Sequence, residues 1–295
     1  MRTRDLILAF LTVAIWGFNF VVIKVGLTGM SPLVLCAARF FFTCFPAIFF
    51  IKKPRVPFRF VALYGLIMFA LQFGLLFLSL HVGMTAGLAS LLLQTNVFFT
   101  ALLAVFFLGE RLTAWQITGM MVSFSGIGVV VMHLGGDDVT VLGFVLIIFA
   151  AACWGVGNLI SKRMGKINVV SLVVWSSFIA WPPLLLAALL QEGTTSVFNQ
   201  FRYLAPSAIA AIAYIVYPTT LFGFAVWNQL LKKYPVSTVA PFTLLVPVFG
   251  MLSATLALGE PLSSWELHAS LCVILGLCVN LFGPRLFIKT AARVV

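Results

Sequence analysis

An α-helix needs about 20 mainly apolar residues to cross the hydrocarbon of a bilayer, and this chain supplies such runs one after another, broken only by short polar hinges. Ten can be marked: Leu6 to Val25, Pro32 to Ile51, Phe58 to Leu80, Thr85 to Leu108, Thr113 to His133, Val139 to Ser161, Val169 to Gln191, Tyr203 to Leu231, Pro235 to Leu258 and Ser264 to Phe287. The hinges carry turn chemistry, such as Gly29-Met-Ser-Pro, Lys53-Pro-Arg, Gly135-Gly-Asp-Asp and Lys233-Tyr-Pro. The expected fold is an all-α polytopic membrane protein of ten transmembrane helices.

Composition agrees, because 62% of the residues are hydrophobic and only 8% charged, where a water-soluble domain has roughly a quarter charged. A net charge of +11 would suit a nucleic-acid binder only if the cations formed a continuous face. Here they are scattered over hinges, so the lipid bilayer and not nucleic acid is the expected partner. Cys36, Cys44, Cys153, Cys272 and Cys278 lie inside apolar runs without CxxC spacing or a nearby His cluster. They read as small core residues, so neither a disulfide, a metal nor another cofactor is expected. The start, Met1-Arg-Thr-Arg-Asp before an apolar stretch, has the look of a signal peptide, but no small-residue cleavage site follows. It reads as the first membrane helix, retained.

With ten spans, one side collects Arg2, Arg4, Lys52, Lys53, Arg55, Arg59, Arg111, Lys162, Arg163, Lys166, Lys232, Lys233, Arg285, Lys289 and Arg293, fifteen of the eighteen basic residues. The other side holds Arg202 together with Asp137, Asp138, Glu192, Glu260 and Glu266. Basic hinges stay in the cytoplasm, which places both termini there.

The chain also repeats itself. Trp16-Gly-Phe-Asn-Phe-Val-Val-Ile-Lys24 in the first span is echoed by Trp154-Gly-Val-Gly-Asn-Leu-Ile-Ser-Lys162 in the sixth, 138 residues on. Leu108-Gly-Glu-Arg-Leu-Thr-Ala-Trp115 is echoed by Leu258-Gly-Glu-Pro-Leu-Ser-Ser-Trp265 at an offset of 150. The halves, 1–135 and 136–295, each have five spans, and an odd number makes equivalent helices enter the membrane from opposite sides. Two inverted five-helix repeats favour alternating access around a shared central site.

The Trp-Gly-x-Asn of the first span, the Leu-Gly-Glu-x-Leu between fourth and fifth spans and their second copies resemble the EamA-type drug/metabolite transporter superfamily. Trp16-Gly-Phe-Asn-Phe-Val-Val-Ile-Lys-Val-Gly, Gly87-Leu-Ala-Ser-Leu-Leu-Leu-Gln and Leu244-Leu-Val-Pro-Val-Phe-Gly look closest to its bacterial exporters of amino acids. The resemblance implies a multi-pass inner-membrane exporter of small metabolites, with spans one to four and six to nine lining the pathway and the fifth and tenth bracing it. The sequence departs once: Gly157 precedes Asn158, so the second Asn is displaced by one residue relative to Asn19.

Polar side chains in hydrocarbon are costly unless partnered, so those inside spans are pathway candidates: Asn19, Gln72, Gln94, Thr95, Asn96 and Asn158. The plainer reading is an interhelical hydrogen bond worth about 0.6 kcal/mol. Among the aromatics, Trp115, Trp181 and Trp265 lie near span ends and read as interface anchors. Trp16, Trp154, Trp175, Tyr214 and Tyr217 lie deeper and either line a cavity or pack. Pro218, Pro241 and Pro247 remove backbone donors inside spans and mark candidate gates or hinges. Lys24, at a span end, is expected to snorkel to headgroups. Arg39 lies eight residues into its span and either reaches the phosphate layer or grips a substrate carboxylate. Glu110 and Glu260, in the repeated hinges, are expected to cap a following helix or pair with a neighbouring base.

No carboxylate falls at mid-membrane, and His81, His133 and His268 sit near span ends. Proton-coupled carriers commonly place such groups inside, so uncoupled or weakly coupled export of an amino acid or related small metabolite is expected. A membrane enzyme would need a HExxH site or paired carboxylates, and neither is present. A sugar-phosphate or nucleotide-sugar carrier would need several mid-membrane cations, a proton-coupled drug exporter a buried Glu. Channels usually close a pore with rings of identical groups, and nothing in the sequence demands more than one chain. Cysteines introduced at Glu110 and Glu260 should react with impermeant thiol reagents from opposite sides of the membrane; labelling from one side would refute the inverted plan.

Overall fold

The computed structural model describes residues 1–135, 139–165 and 167–291. Asp137, Asp138, Lys166 and Arg293 of the charge pattern, and the repeat boundary at Gly136, lie outside the described residues, as do the side chains of Arg285 and Lys289. Among the described residues, ten helices are long and apolar enough to cross a membrane: α1 (Thr3–Gly26), α2 (Pro32–Phe49), α3 (Phe58–His81), α4 (Ala86–Leu108), α5 (Ala114–Met132), α6 (Val141–Met164), α7 (Val169–Glu192), α8 (Pro206–Lys233), α9 (Ala240–Leu258) and α10 (Ser264–Gly283). The connection between α7 and α8 contains a further short helix, Thr194–Arg202.

Local chemistry sets the helix ends. Pro32 and Pro206 sit in the first turns of α2 and α8, where a missing N–H costs nothing. Thr85, Thr140 and Asn168 cap α4, α6 and α7 with their side chains, and Thr113 with Gln116 forms a capping box on α5. Gly109 and Gly259 end α4 and α9 at φ of +67° and +66°, a left-handed conformation that favours glycine. That accounts for the Gly of both Leu-Gly-Glu copies.

The two halves share their irregularities as well. Wide π-helical turns occupy Gly65–Leu71 in α3 and Ile215–Phe222 in α8, and tight 3₁₀ turns occupy Leu93–Thr95 in α4 and Ala240–Leu244 in α9. Pro218 falls in one π segment, but its counterpart contains no proline, so the widened turn belongs to the repeat and not to the ring. Pro241 opens the 3₁₀ turn of α9, and Pro247 is buried in the helix that follows.

Packing follows the pseudo-symmetry. The first helix of each half lies on the fourth and third of the other, α1 on α9 and α8, and α6 on α4 and α3; α2 pairs with α7, α4 with α9, and α5 with α10 at the edge. Glycine makes the first contacts possible. A Cβ on Gly17 would lie 2.5 Å from Cβ of Phe249, and one on Gly155 2.8 Å from Cβ of Phe99. With lipid tails as apolar as the helices, such close approach is what holds membrane helices together.

The repeated Lys and Glu meet across the halves. Lys24, expected among the headgroups, instead places Nζ 2.8 Å from Glu260 Oε1, on the membrane face opposite the N-terminus. There the Glu260 carboxylate also accepts the backbone N–H groups of Ala86 and Gly87 at the start of α4, the positive end of that helix dipole. Lys162 pairs with Glu110 on the terminal face, where both side chains are about half exposed, 57% and 49% against 13% for Glu260. The two glutamates thus brace the other half and not the helix that follows them. Glu260→Ala should lower unfolding stability in detergent by about 2 kcal/mol or more, since hydrogen bonds to a charged group are lost. Glu110→Ala, removing an exposed pair, should cost no more than about 1 kcal/mol.

Candidate functional site

Halfway along the spans, where the halves meet, lies a cavity of about 160 Å³. Trp16, Asn19 and Phe20 of α1, Arg39 of α2, Phe73 and Leu76 of α3, and Leu93, Gln94, Asn96 and Val97 of α4 form its first-half wall. Trp154 of α6, Thr219 and Phe224 of α8, and Thr243 and Val246 of α9 form the other. α5 and α10 contribute nothing to this lining, as their place at the edge requires. α7 contributes nothing either, because it packs behind α2 and α3.

The cavity combines an aromatic wall with a small set of polar groups. Trp16 is fixed by its indole N–H, which donates to the Thr219 carbonyl at 3.1 Å, and by Trp227, whose ring lies 5.1 Å away. Gln94 donates to the Thr243 carbonyl at 2.9 Å and ties α4 to α9 at their 3₁₀ turns. Asn96 donates to its own turn, at the Leu93 carbonyl.

Arg39 dominates the electrostatics. It is 1% exposed, so it does not reach the headgroups. Nη2 donates to Thr220 Oγ1 at 3.1 Å, and the guanidinium carbon sits 4.1 Å from the Phe73 ring centroid. Nε and Nη1 have no partner among the described residues, and the same holds for Asn19 Oδ1 and Thr219 Oγ1. Buried polar atoms are nearly always hydrogen-bonded, so three residues left unsatisfied around one cavity mark the place where a polar ligand would complete the network.

The other sequence candidates lie elsewhere. Asn158 donates to Thr100 Oγ1 across the α6–α4 seam. Trp175 donates to the Ile51 carbonyl near the terminal face and Tyr214 to the Ile15 carbonyl of α1, so each locks helices together. Tyr217 is 60% exposed on the outer surface. Gln72 is fully buried with neither amide atom bonded among the described residues, yet it is not part of the lining.

Phe20, Phe73, Phe224, Thr219 and Thr243 line the cavity without having been singled out in the sequence. Hydroxyl side chains in membrane helices usually bond their own preceding turn, as Thr243 does to the Ala240 carbonyl. Thr219, inside the π segment, does not, and its place directly after Pro218 is the one signal that sets it apart.

Comparison with known proteins completes the picture. A protein from Escherichia coli strain K12, described as a probable amino-acid metabolite efflux pump, is 40% identical over 290 residues, covering 97% of each chain. Its counterpart of the same description from Salmonella typhimurium is also 40% identical, covering 100% of this chain and 99% of its own. A crystal structure of a protein only 18% identical covers 97% of this chain and 99% of its own with a TM-score of 0.66, and so shares the fold. The EamA-like transporter family matches residues 3–132 and 141–282, nearly all of both halves, and the chain belongs to that family.

Proposed function

We propose that this protein exports amino acids or closely related zwitterionic metabolites across a bacterial inner membrane, by alternating access and without stoichiometric proton coupling. The observation that carries the reading is the group of unsatisfied atoms at the cavity: two guanidinium nitrogens of Arg39 with the oxygens of Asn19 and Thr219. A carboxylate beside Arg39 would accept from Nε–H or Nη1–H, with the second parallel donor of that edge supplied by the other hydrogen of Nη2. An ammonium on the same molecule would find acceptors in Asn19 and Thr219 and the ring faces of Trp16 and Trp154. The apolar wall then takes the side chain. The efflux-pump descriptions of the relatives support the same class of cargo.

On this reading the repeats 1–135 and 136–295 rock against one another with both termini in the cytoplasm. Lys24–Glu260 closes the outer end and Lys162–Glu110 the inner one. The π segment around Pro218 and the 3₁₀ turn at Pro241 with the following Pro247 are the points where helices can bend, since both interrupt the regular hydrogen-bond ladder.

Arg39→Gln in reconstituted vesicles should reduce amino-acid export by roughly 10-fold or more, the equivalent of one charged hydrogen bond. Arg39→Lys should restore only part of it, having a charge but no fork. Thermal stability of Arg39→Gln should be unchanged or higher, because a partly unpaired buried charge is removed; unchanged export would defeat the assignment. Separately, amino-acid flux into such vesicles should proceed without a matching proton current, and a fixed proton-to-substrate ratio would overturn the uncoupled mechanism.

A further inference from the structure

We infer that the terminal face carries a built site for the phosphate of an anionic phospholipid, between the α2–α3 hinge and the start of α7. A second cavity, of about 460 Å³, opens there and is lined by Lys52, Lys53 and Arg55 of the hinge, with Phe50, Asn168 and Ser171 around them. Three cations within four positions do not make a site on a floppy loop, but this hinge is pinned. Ser171 donates its hydroxyl proton to the Lys52 carbonyl, and the Trp175 indole N–H donates to the Ile51 carbonyl at 3.0 Å. Both donors belong to α7, so the second half of the protein fixes a basic segment of the first.

The cations are available to an anion. Among the described residues, Asp5 pairs with Lys233, Glu110 with Lys162 and Glu260 with Lys24, while Glu192 accepts from Gln200. No described carboxylate pairs with Lys52, Lys53 or Arg55. Asn168 already satisfies the Val170 and Ser171 N–H groups with its side chain, so the side-chain cations, and not the helix end, would bind the anion.

What selects a lipid over a free phosphate is the rim. Phe49 and Phe50 are 77% and 82% exposed beside the cavity, where the end of α2 reaches the membrane surface. Phe58 holds the Lys53 ammonium 5.0 Å from its ring centroid. Exposed rings at the interface take acyl chains, while basic pockets at this depth bind acidic headgroups. The corresponding hinge on the opposite face, residues 193–205, has Arg202 as its one cation, so the site is not a product of the repeat.

The test is thermal unfolding of the purified full-length protein in neutral detergent, titrated with phosphatidylglycerol, phosphatidylcholine or inorganic phosphate. Phosphatidylglycerol should raise the midpoint, and the other two should not. The variant Lys52→Gln/Lys53→Gln/Arg55→Gln should lose that rise, while the charge-matched variant Arg4→Gln/Arg111→Gln/Lys232→Gln on the same face should keep it. Equal effects of both lipids, a rise with inorganic phosphate alone, or equal loss in the two variants would overturn the site. Should the triple variant not fold, native mass spectrometry of Lys52→Gln and Arg55→Gln singly must show less retained phosphatidylglycerol than the parent, and undiminished retention counts against the site.

Discussion

The architecture rests on two close contacts, Gly17 of α1 against Phe249 of α9 and Gly155 of α6 against Phe99 of α4. They are the same contact made twice, once from each direction. In lipid there is little hydrophobic gain in bringing helices together, so association depends on how near two backbones can come. A side chain at either glycine would push the halves apart. Successive residues in a helix are about 100° apart around its axis, so seating the glycine on one neighbour turns the preceding Trp toward another. That is how Trp16 and Trp154 both come to line the cavity, and why the dipeptide, not either residue alone, recurs in the chain.

The same helical geometry explains what the sequence revealed and what it hid. Spans, repeat and family were legible because hydropathy and the two echoed motifs are local signals. Asn19 and Asn158 stood out equally, yet one lines the cavity and the other bonds Thr100. Its displacement by one position, with Gly157 where the first half has Asn19, rotates Asn158 by about one 100° step, from the cavity to the α4 seam. Lys24 read as a headgroup contact because its partner, Glu260, lies 236 positions away; the offsets identify which residues are equivalent, but not which of them meet. Phe73 and Phe224 could not be picked from 30 phenylalanines, since chemistry alone does not separate a ring that lines a cavity from one that faces lipid. The π segments leave no compositional trace: one contains a proline and the other does not.

Symmetry of the frame does not extend to what it holds. Glu260 is largely buried and bonded to the start of α4 as well as to Lys24, whereas Glu110 and Lys162 are half exposed. Removing water strengthens a charged contact, so the face opposite the termini is the more firmly latched in this conformation. The polar groups are unequal too. Arg39 on α2 has no counterpart on α7, which contains no Lys or Arg. On the proposed reading a two-fold frame would exchange inward and outward states, while an asymmetric site within it would set which end of a cargo molecule faces which helix.

Arg39 also limits how tightly any cargo can be held. Taking a guanidinium out of water costs several kcal/mol even after the surroundings relax. Thr220 and the face of Phe73 at 4.1 Å return a part of that, about 2 kcal/mol for a desolvated cation over a ring. On the proposed reading the rest stays uncompensated until a carboxylate arrives, which would give an empty cavity a reason to bind. The arriving carboxylate must shed its own water, however, so the net gain is the small difference between two large terms. A carrier needs that outcome, because a cargo bound with the full strength of the ion pair would not leave on the other side. On the proposed reading, with Arg39 the one cation among the described residues that line the cavity, the well would stay shallow enough to let an amino acid leave again.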